Sequence, residues 1–426
     1  MKNKIFYKSI SILIIFNILL SGCKKGNKDI GYTVDNLGNN DTFVIEKDGY
    51  ADQPYWNYFY RRITKAEKGY YFLDYFELKY IDETMKVHRL CNDPLCICRN
   101  PLSEEERKEM KKNGIEIPSC KAAFSSSNMI YYHNGLLYSF ECDEETNTVY
   151  LISISTDGLG TIKRICGVCP YDNDYYGSVR MVIHDNKIYV YDWAVGYEDS
   201  EKTITRYSLD GKEKKVIARF KGTFVHFTSV KSYGSKLFYI VEEVVDKSDM
   251  MKMCSEGVYV YDYNTEETVR ILTKNVNDFA VDEENNLIYY YITGDGLYKK
   301  PLDKKGTEGA VKLYNATDET YFCDLSYDGT YLYMNNEKFL WRSLSKTYPN
   351  KYPNTFVIGA DGTIINIINE IHFPIFGDEK YTFINKPYKQ AGDDWDNDIK
   401  YIEKSQVPTA KYEDFKSFQY VTEGDE

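Results

Sequence analysis

The chain has 426 residues, with 65 Asp and Glu against 53 Lys and Arg, a net charge of −12, and 42 Tyr and 21 Phe. So acidic a body argues against a nucleic-acid partner and against a surface lying flat on anionic lipid. The abundance of aromatics favours strands over helices.

The first element is a leader. A basic start (Met1-Lys2-Asn3-Lys4, Lys8) precedes an apolar stretch from Ile10 to Leu20 and the run Leu20-Ser21-Gly22-Cys23. That pattern predicts a secretory signal peptide over residues 1–22 rather than a membrane-spanning helix, because the apolar core is too short to cross a bilayer. Cys23 then reads as the lipidated cysteine of a lipobox, and removal of Lys2, Lys4 and Lys8 takes the net charge to about −15. Acyl chains on Cys23 would hold the protein on the outer side of the cell membrane, each buried methylene adding about 0.8 kcal/mol. Residues 23–41, rich in Lys, Gly, Asn and Asp, have little to bury and suit a tether. The folded body is expected over 42–426.

That body is organised by a repeat in which a turn with Gly or Asn leads to an apolar residue and an aromatic. It occurs at Gly69-Tyr70-Tyr71-Phe72, Gly135-Leu136-Leu137-Tyr138, Asn186-Lys187-Ile188-Tyr189 and Ser235-Lys236-Leu237-Phe238. It continues at Asn286-Leu287-Ile288-Tyr289, Gly329-Thr330-Tyr331-Leu332-Tyr333 and Glu379-Lys380-Tyr381-Thr382-Phe383. From Leu137 through Ile188, Leu237, Ile288 and Leu332 to Tyr381 the steps are 51, 49, 51, 44 and 49, and the first, from Tyr71 to Leu137, is 66. Alternating runs follow inside the units, as at Val149–Ser155, Ile204–Leu209, Val258–Tyr263 and Leu297–Leu302. A period near 50 that holds about four short strands predicts a β-propeller blade, so the expected fold is an all-β, seven-bladed β-propeller, with six or eight blades as the alternative. Ring closure is expected to pair Thr42-Phe43-Val44-Ile45-Glu46 with a C-terminal strand such as Lys400–Glu403 or Phe418–Tyr420.

The long first step holds a cysteine-containing insertion in the first blade: Cys91, Cys96 and Cys98, then Cys120 after a charged segment whose Ser103-Glu104-Glu105-Glu106 opening predicts a short helix. The lipobox, the blade repeat and the run Leu90-Cys91-Asn92-Asp93-Pro94-Leu95-Cys96-Ile97-Cys98 with Cys120-Lys121-Ala122-Ala123-Phe124 resemble the TolB-like propeller lipoproteins of low-GC Gram-positive bacteria. Cys98 stands where that group's pattern has His. The resemblance implies fold and location, and it brings no catalytic residue.

Read on their own chemistry, Cys91, Cys96, Cys98 and Cys120 could hold a structural Zn²⁺, pair as disulfides or remain thiols. Cys in place of His is an exchange zinc accepts, whereas an extracytoplasmic setting favours disulfides. Four protein ligands would leave no open position for water, so the role is structural. Cys142, Cys166, Cys169, Cys254 and Cys323 lie outside this set. Cys166-Gly167-Val168-Cys169 lacks the strand-then-helix context of a redox motif, and a local disulfide or two inert thiols is expected.

No metalloprotease spacing surrounds His88, His133, His184, His226 or His372, and no G-x-S-x-G elbow is present. Ser326-Tyr327-Asp328-Gly329-Thr330-Tyr331 has the look of a sialidase Asp-box but reads more economically as a blade turn. Asp393-Asp394-Trp395-Asp396-Asn397-Asp398 reads as a solvated acidic loop, and Trp56 and Trp395 as seam packing or a sugar platform. The functional expectation is a non-catalytic binding or scaffolding module at the cell envelope for a glycan, peptide or protein. The alternative is an extracytoplasmic glycan hydrolase or lyase using channel carboxylates.

Overall fold

Every repeat folds into a four-stranded antiparallel sheet whose strands follow chain order. The computed structural model describes residues 63–421 apart from the stretches 75–76, 92–95, 97–101, 116–119, 121, 123–128, 157–160, 172–178, 193–199, 223–224, 234–235, 245–252, 274, 283, 317–321, 337–353, 370–372 and 386–398. Blade one holds β1 (Ile63–Lys65), β2 (Tyr70–Asp74), β3 (Glu77–Ile81) and β4 (Lys86–Arg89). The one α-helix among the described residues, α1 (Glu104–Lys112), follows it. Blade two holds β5 (Tyr131–His133), β6 (Leu136–Asp143), β7 (Thr148–Ser155) and β8 (Ile162–Pro170), and blade three β9 (Val179–His184), β10 (Lys187–Asp192), β11 (Ser200–Ser208) and β12 (Lys214–Gly222). Blade four has β13 (His226–Tyr233), β14 (Lys236–Val244), β15 (Met253–Asp262) and β16 (Thr268–Leu272), and blade five β17 (Val276–Asp282), β18 (Leu287–Ile292), β19 (Gly296–Pro301) and β20 (Val311–Asn315). Blade six has β21 (Phe322–Tyr327), β22 (Tyr331–Asn336), β23 (Asn354–Gly359) and β24 (Ile364–Asn369). Blade seven has β25 (Phe373–Gly377), β26 (Tyr381–Asn385), β27 (Ile399–Glu403) and β28 (Lys416–Ser417).

The repeated apolar-aromatic signal marks the second strand of every blade, and the alternating runs mark third strands. Tight turns join first to second strands: Asn134 and Gly135 have φ of 50° and 78°, and Asp185 and Asn186 have 45° and 56°. Two successive positive φ angles match the right-handed twist of the flanking strands, which is why Asn, Asp and Gly precede the signal.

Second strands are buried on both faces. In β18, Ile288 and Tyr290 enter the seam between blades four and five, while Tyr289 and Tyr291 enter the seam between five and six, so consecutive tyrosines serve different cores. Seven apolar clusters occupy the seven seams, one each. The last joins Ile63, Tyr70, Phe72 and Val87 of blade one to Tyr381, Phe383 and Ile399 of blade seven. The ring is closed, and the molecule is a seven-bladed β-propeller.

The expected N-terminal closing strand, Thr42–Glu46, lies outside the described residues; of the two C-terminal candidates, Lys400–Glu403 lies within β27, which pairs with β26 and β28, and Phe418–Tyr420 is the stretch that reaches blade one. The C-terminal stretch crosses the seam: β28 completes blade seven, then β29 (Gln419–Tyr420) adds to the outer edge of blade one, parallel to β4. Between them Phe418 stacks on Tyr401 at 5.1 Å and lies 5.8 Å from Phe72. A strand supplied from the C-terminus covers an edge that blade one would otherwise expose.

First strands of neighbouring blades touch, whereas the fourth strands β8, β12 and β20 are largely solvent-exposed, so first strands are innermost. Chain direction then places the C-terminal ends of β4, β8, β10, β14, β22 and β26 on one face. The opposite face carries mostly tight turns, with the two 3-10 turns Lys404–Thr409 and Tyr412–Asp414 as its longest link.

Candidate metal centre and the middle of the ring

The cysteine insertion leaves blade one after β4 and returns beside β3. At Leu78, where β4 has stopped pairing, the amide N–H donates to the carbonyl of Ala122 at 2.8 Å. In between, α1 starts at a capping box in which Ser103 Oγ accepts from the Glu106 amide at 3.2 Å and the Glu106 carboxylate accepts from the Ser103 amide at 2.7 Å. The predicted helix is therefore present, but none of its residues is buried, and Ile115 beyond it is 53% exposed. Among the described residues, what the insertion buries between β4 and Met129 is Cys91, Cys96, Cys120 and Ala122. A segment without an apolar core of its own needs a staple, and the cysteines occupy that position.

The Sγ atoms of Cys91, Cys96 and Cys120 all lie within 4.8 Å of one another. A tetrahedral zinc with bonds near 2.3 Å sets its sulfurs about 3.8 Å apart, so the triangle has the dimensions of three corners of such a site. The Ala122 amide donates to Cys120 Sγ at 3.3 Å, a contact that stabilises a thiolate. Cys98 lies outside the described residues. A disulfide would join only two of the three sulfurs and leave the third buried beside it, whereas a thiophilic cation engages all three. The donor set therefore fits a structural zinc.

The remaining cysteines have a different character. Cys142, Cys166 and Cys169 are free thiols, so the inert-thiol alternative describes the C-x-x-C pair. Burial pushes the Cys169 thiol up to about 12 and the Cys142 thiol up to about 11, leaving both protonated at neutral pH. The side chains of Cys254 and Cys323, and the whole of Cys23, Trp56, His372 and the 393–398 loop, lie outside the described residues.

In the middle of the ring sits a constellation that the sequence reading missed. Lys231 of β13 is 1% exposed; its ammonium reaches Asp278 Oδ1 at 3.3 Å, the Phe279 carbonyl, and the Leu325 carbonyl at 2.9 Å. Asp278 also accepts from the Ser229 hydroxyl and from the amides of Phe279 at 2.7 Å and Leu325 at 2.6 Å. One lysine and one carboxylate thus pin the inner strands of blades four, five and six together. Ser229 has φ 49°, and the β13–β14 register shifts beside it, so a bulge aims Lys231 inward. A lone lysine in an aromatic-rich strand was the available signal, but composition gives no reason to bury it.

Other buried carboxylates also serve the frame. Asp328 accepts from the amides of Thr330 and Tyr331 and from Tyr333 Oη, and Asp378 accepts from the amides of Lys380 and Tyr381 and from Tyr70 Oη across the closing seam. The Asp-box-like segment is accordingly a blade turn. Asp262 meets the Lys236 ammonium at 2.6 Å, and Asp282 accepts from Asn285 and, across a seam, from Tyr327 Oη at 3.3 Å. Of the histidines, His88 contacts Asp82 Oδ2 at 2.7 Å, His133 contacts Asn186 Oδ1 at 3.0 Å and His184 meets the Tyr263 ring in a tilted contact at 5.5 Å. His226 faces Glu242 across β13 and β14 at 3.3 Å.

No family model and no curated protein matches the chain. Among solved structures it is 11% identical to the β-propeller domain of the Trilobed protease from Pyrococcus furiosus, over 88% of this chain and 97% of that one, with a TM-score of 0.43. It is 9% identical to TolB from Acinetobacter baumannii over 71% and 70% of the two chains (TM-score 0.33), and 8% identical to BamB from Moraxella catarrhalis over 76% and 81% (TM-score 0.38). The class of the molecule rests on its own seven sheets and seven seams.

Proposed function

We propose that this protein is a lipid-anchored, extracytoplasmic β-propeller that works as a non-catalytic binding or scaffolding module at the cell envelope, with Cys23 as the anchor. The observation that carries the reading is the commitment of the central polar groups: Lys231 and Asp278 spend their bonds tying three blades together. A glycan hydrolase needs two carboxyl groups facing a sugar with room between them for chemistry. Among the described residues Asp262, Asp278, Asp282, Asp328 and Asp378 are instead held by lysines, tyrosines and turn amides. The longest connections leave from strand ends that lie on one face, and recognition by loops on a rigid frame is the usual division of labour in such folds. Cys91, Cys96 and Cys120, joined by Cys98, would hold a structural zinc that fixes the largest of these connections.

The test is cross-linking in intact cells with the full chain, paired with a glycan array. Specific capture of an envelope protein or glycan, abolished by altering the long-loop face and accompanied by no turnover, is the expected result. Release of reducing sugar or unsaturated product from any bound glycan would replace this reading with the hydrolase or lyase. Retention of a Cys23→Ala variant in the membrane fraction would remove the anchor.

A further inference from the structure

The dipeptide Asn-Gly occurs twice in the chain, at Asn113-Gly114 and at Asn134-Gly135. A glycine after Asn leaves its own amide nitrogen unshielded by a side chain, so that nitrogen can attack the Asn side-chain carbonyl wherever the backbone lets the two meet. Both asparagines are exposed, so exposure does not separate them. Restraint does. Asn134 and Gly135, with φ of 50° and 78°, form the tight turn of the β5–β6 hairpin, whose Tyr131, Leu137 and Tyr138 are buried in the ring. Asn134 Nδ2 donates to Asn186 Oδ1 of the neighbouring blade at 2.8 Å and lies 3.1 Å from His133 Nε2, which fixes the amide group that would have to turn. Asn113 instead ends α1, and its side chain has no hydrogen bond among the described residues. Gly114 follows with φ 67°, a helix stop in which its amide donates to the Lys111 carbonyl at 3.2 Å and the Ile115 amide donates to the Met110 carbonyl at 2.9 Å. A Cβ on Gly114 would meet nothing within 4 Å. No residue of α1 is buried, so its last turn opens at little cost and frees the Gly114 nitrogen.

We propose that Asn113 is a site of spontaneous deamidation and that the fold protects Asn134 from the same reaction. The Gly114 nitrogen bonds to the side-chain carbonyl carbon of Asn113, the bond from that carbon to the side-chain nitrogen breaks, and the proton lost by Gly114 leaves with the nitrogen as ammonia. Water then opens the cyclic imide at either carbonyl, leaving aspartate or isoaspartate at position 113. The reaction uses water and neither oxidant nor reductant. Either product puts a negative charge at the C-terminal end of α1, against the helix dipole, where Lys111 and Lys112 offset part of it. Isoaspartate also routes the main chain through the extra carbon, which pulls the Gly114 and Ile115 amides away from the Lys111 and Met110 carbonyls. The helix of the blade-one insertion is thereby loosened over time. The reaction requires neither the anchor nor the metal, so it stands independently of the function proposed above.

The experiment is incubation of the full chain in detergent at pH 8, folded and in guanidinium chloride, with peptide mapping by mass spectrometry to follow each asparagine. A protease that cuts before aspartate separates it from isoaspartate. In denaturant the two sites should convert at similar rates. In the folded protein Asn113 should stay within about tenfold of that rate, because opening a frayed helix end costs little, whereas Asn134 should fall about a hundredfold behind. N186G, which removes the acceptor and tolerates the positive φ, should speed conversion at Asn134 and leave Asn113 unchanged. On ageing, the parent should become easier to cleave within residues 103–115, and N113Q should not. A folded-state rate at Asn113 more than about tenfold below its rate in denaturant, conversion of Asn134 as fast as Asn113 in the folded protein, or equal loosening of N113Q would overturn the proposal.

Discussion

Replacing Lys231 with Met tests whether one ion pair holds the middle of the ring. Lys231 and Asp278 have side chains only 1% and 4% exposed, so removing the ammonium leaves a buried carboxylate without its cation. Breaking such a pair typically costs about 3–5 kcal/mol. Asp278 keeps the Ser229 hydroxyl and the Phe279 and Leu325 amides, which moderates the loss, but the Phe279 and Leu325 carbonyls forfeit the lysine donor. About 3 kcal/mol is therefore expected, a large part of the roughly 5–15 kcal/mol that stabilises a typical domain. Urea unfolding followed by tyrosine fluorescence would measure it as a shift in midpoint. In the cycle with D278N, the double variant should lose less than the two single variants combined, by about 1–3 kcal/mol. A K231M loss below about 1 kcal/mol, or strict additivity, would refute the assignment of these groups as the pin.

Tyr70→Phe removes the hydroxyl that reaches Asp378 across the closing seam and should cost about 1–2 kcal/mol, read from the same unfolding curves; an unchanged midpoint would show that the bond contributes nothing to closure. With thiols pushed up to about 12 and about 11, the half-buried Cys169 and Cys142 should react slowly with iodoacetamide at pH 8 in the folded protein and faster on unfolding; equal rates in the two states would contradict the raised thiols. Cys120→Ser should abolish zinc co-purification and speed proteolysis within residues 90–130, because α1 buries nothing of its own; full zinc content by elemental analysis would exclude Cys120 as a ligand. Burial alone would raise the Asp82 carboxyl, but hydrogen bonds from His88, from the Thr84 hydroxyl and from the Lys86 and Thr84 amides outweigh it and hold the group well below the usual carboxylate range. Its folded-state affinity for protons is thus lower than its unfolded one, so its contribution to stability is complete above about pH 4 and is lost as pH falls further. In His88→Ala the stability lost between pH 6 and pH 3 should be smaller than in the parent, and an identical acid profile would dismiss that bond.

The blade count was legible in the sequence because each blade needs one strand buried on both faces, and burial on both faces demands a run of apolar and aromatic residues after a tight turn. Tyr71, Leu137, Ile188, Leu237, Ile288, Leu332 and Tyr381 record that demand seven times, and each occupies a second strand. The helix at Glu104 was legible because capping is local chemistry within four residues. The closing strand Phe418–Tyr420 was a candidate in the sequence, but its partner was not legible, since nothing in Gln419–Tyr420 says that it pairs with β4 more than three hundred residues earlier, or that the pairing is parallel. The Lys231 and Asp278 pin also needed three dimensions. Their charges are ordinary in the sequence, and only strand register and the bulge at Ser229 decide that they are buried together. Periodicity determines which residues must hide from water, whereas the pairing of distant strands decides what each polar group meets once it is hidden.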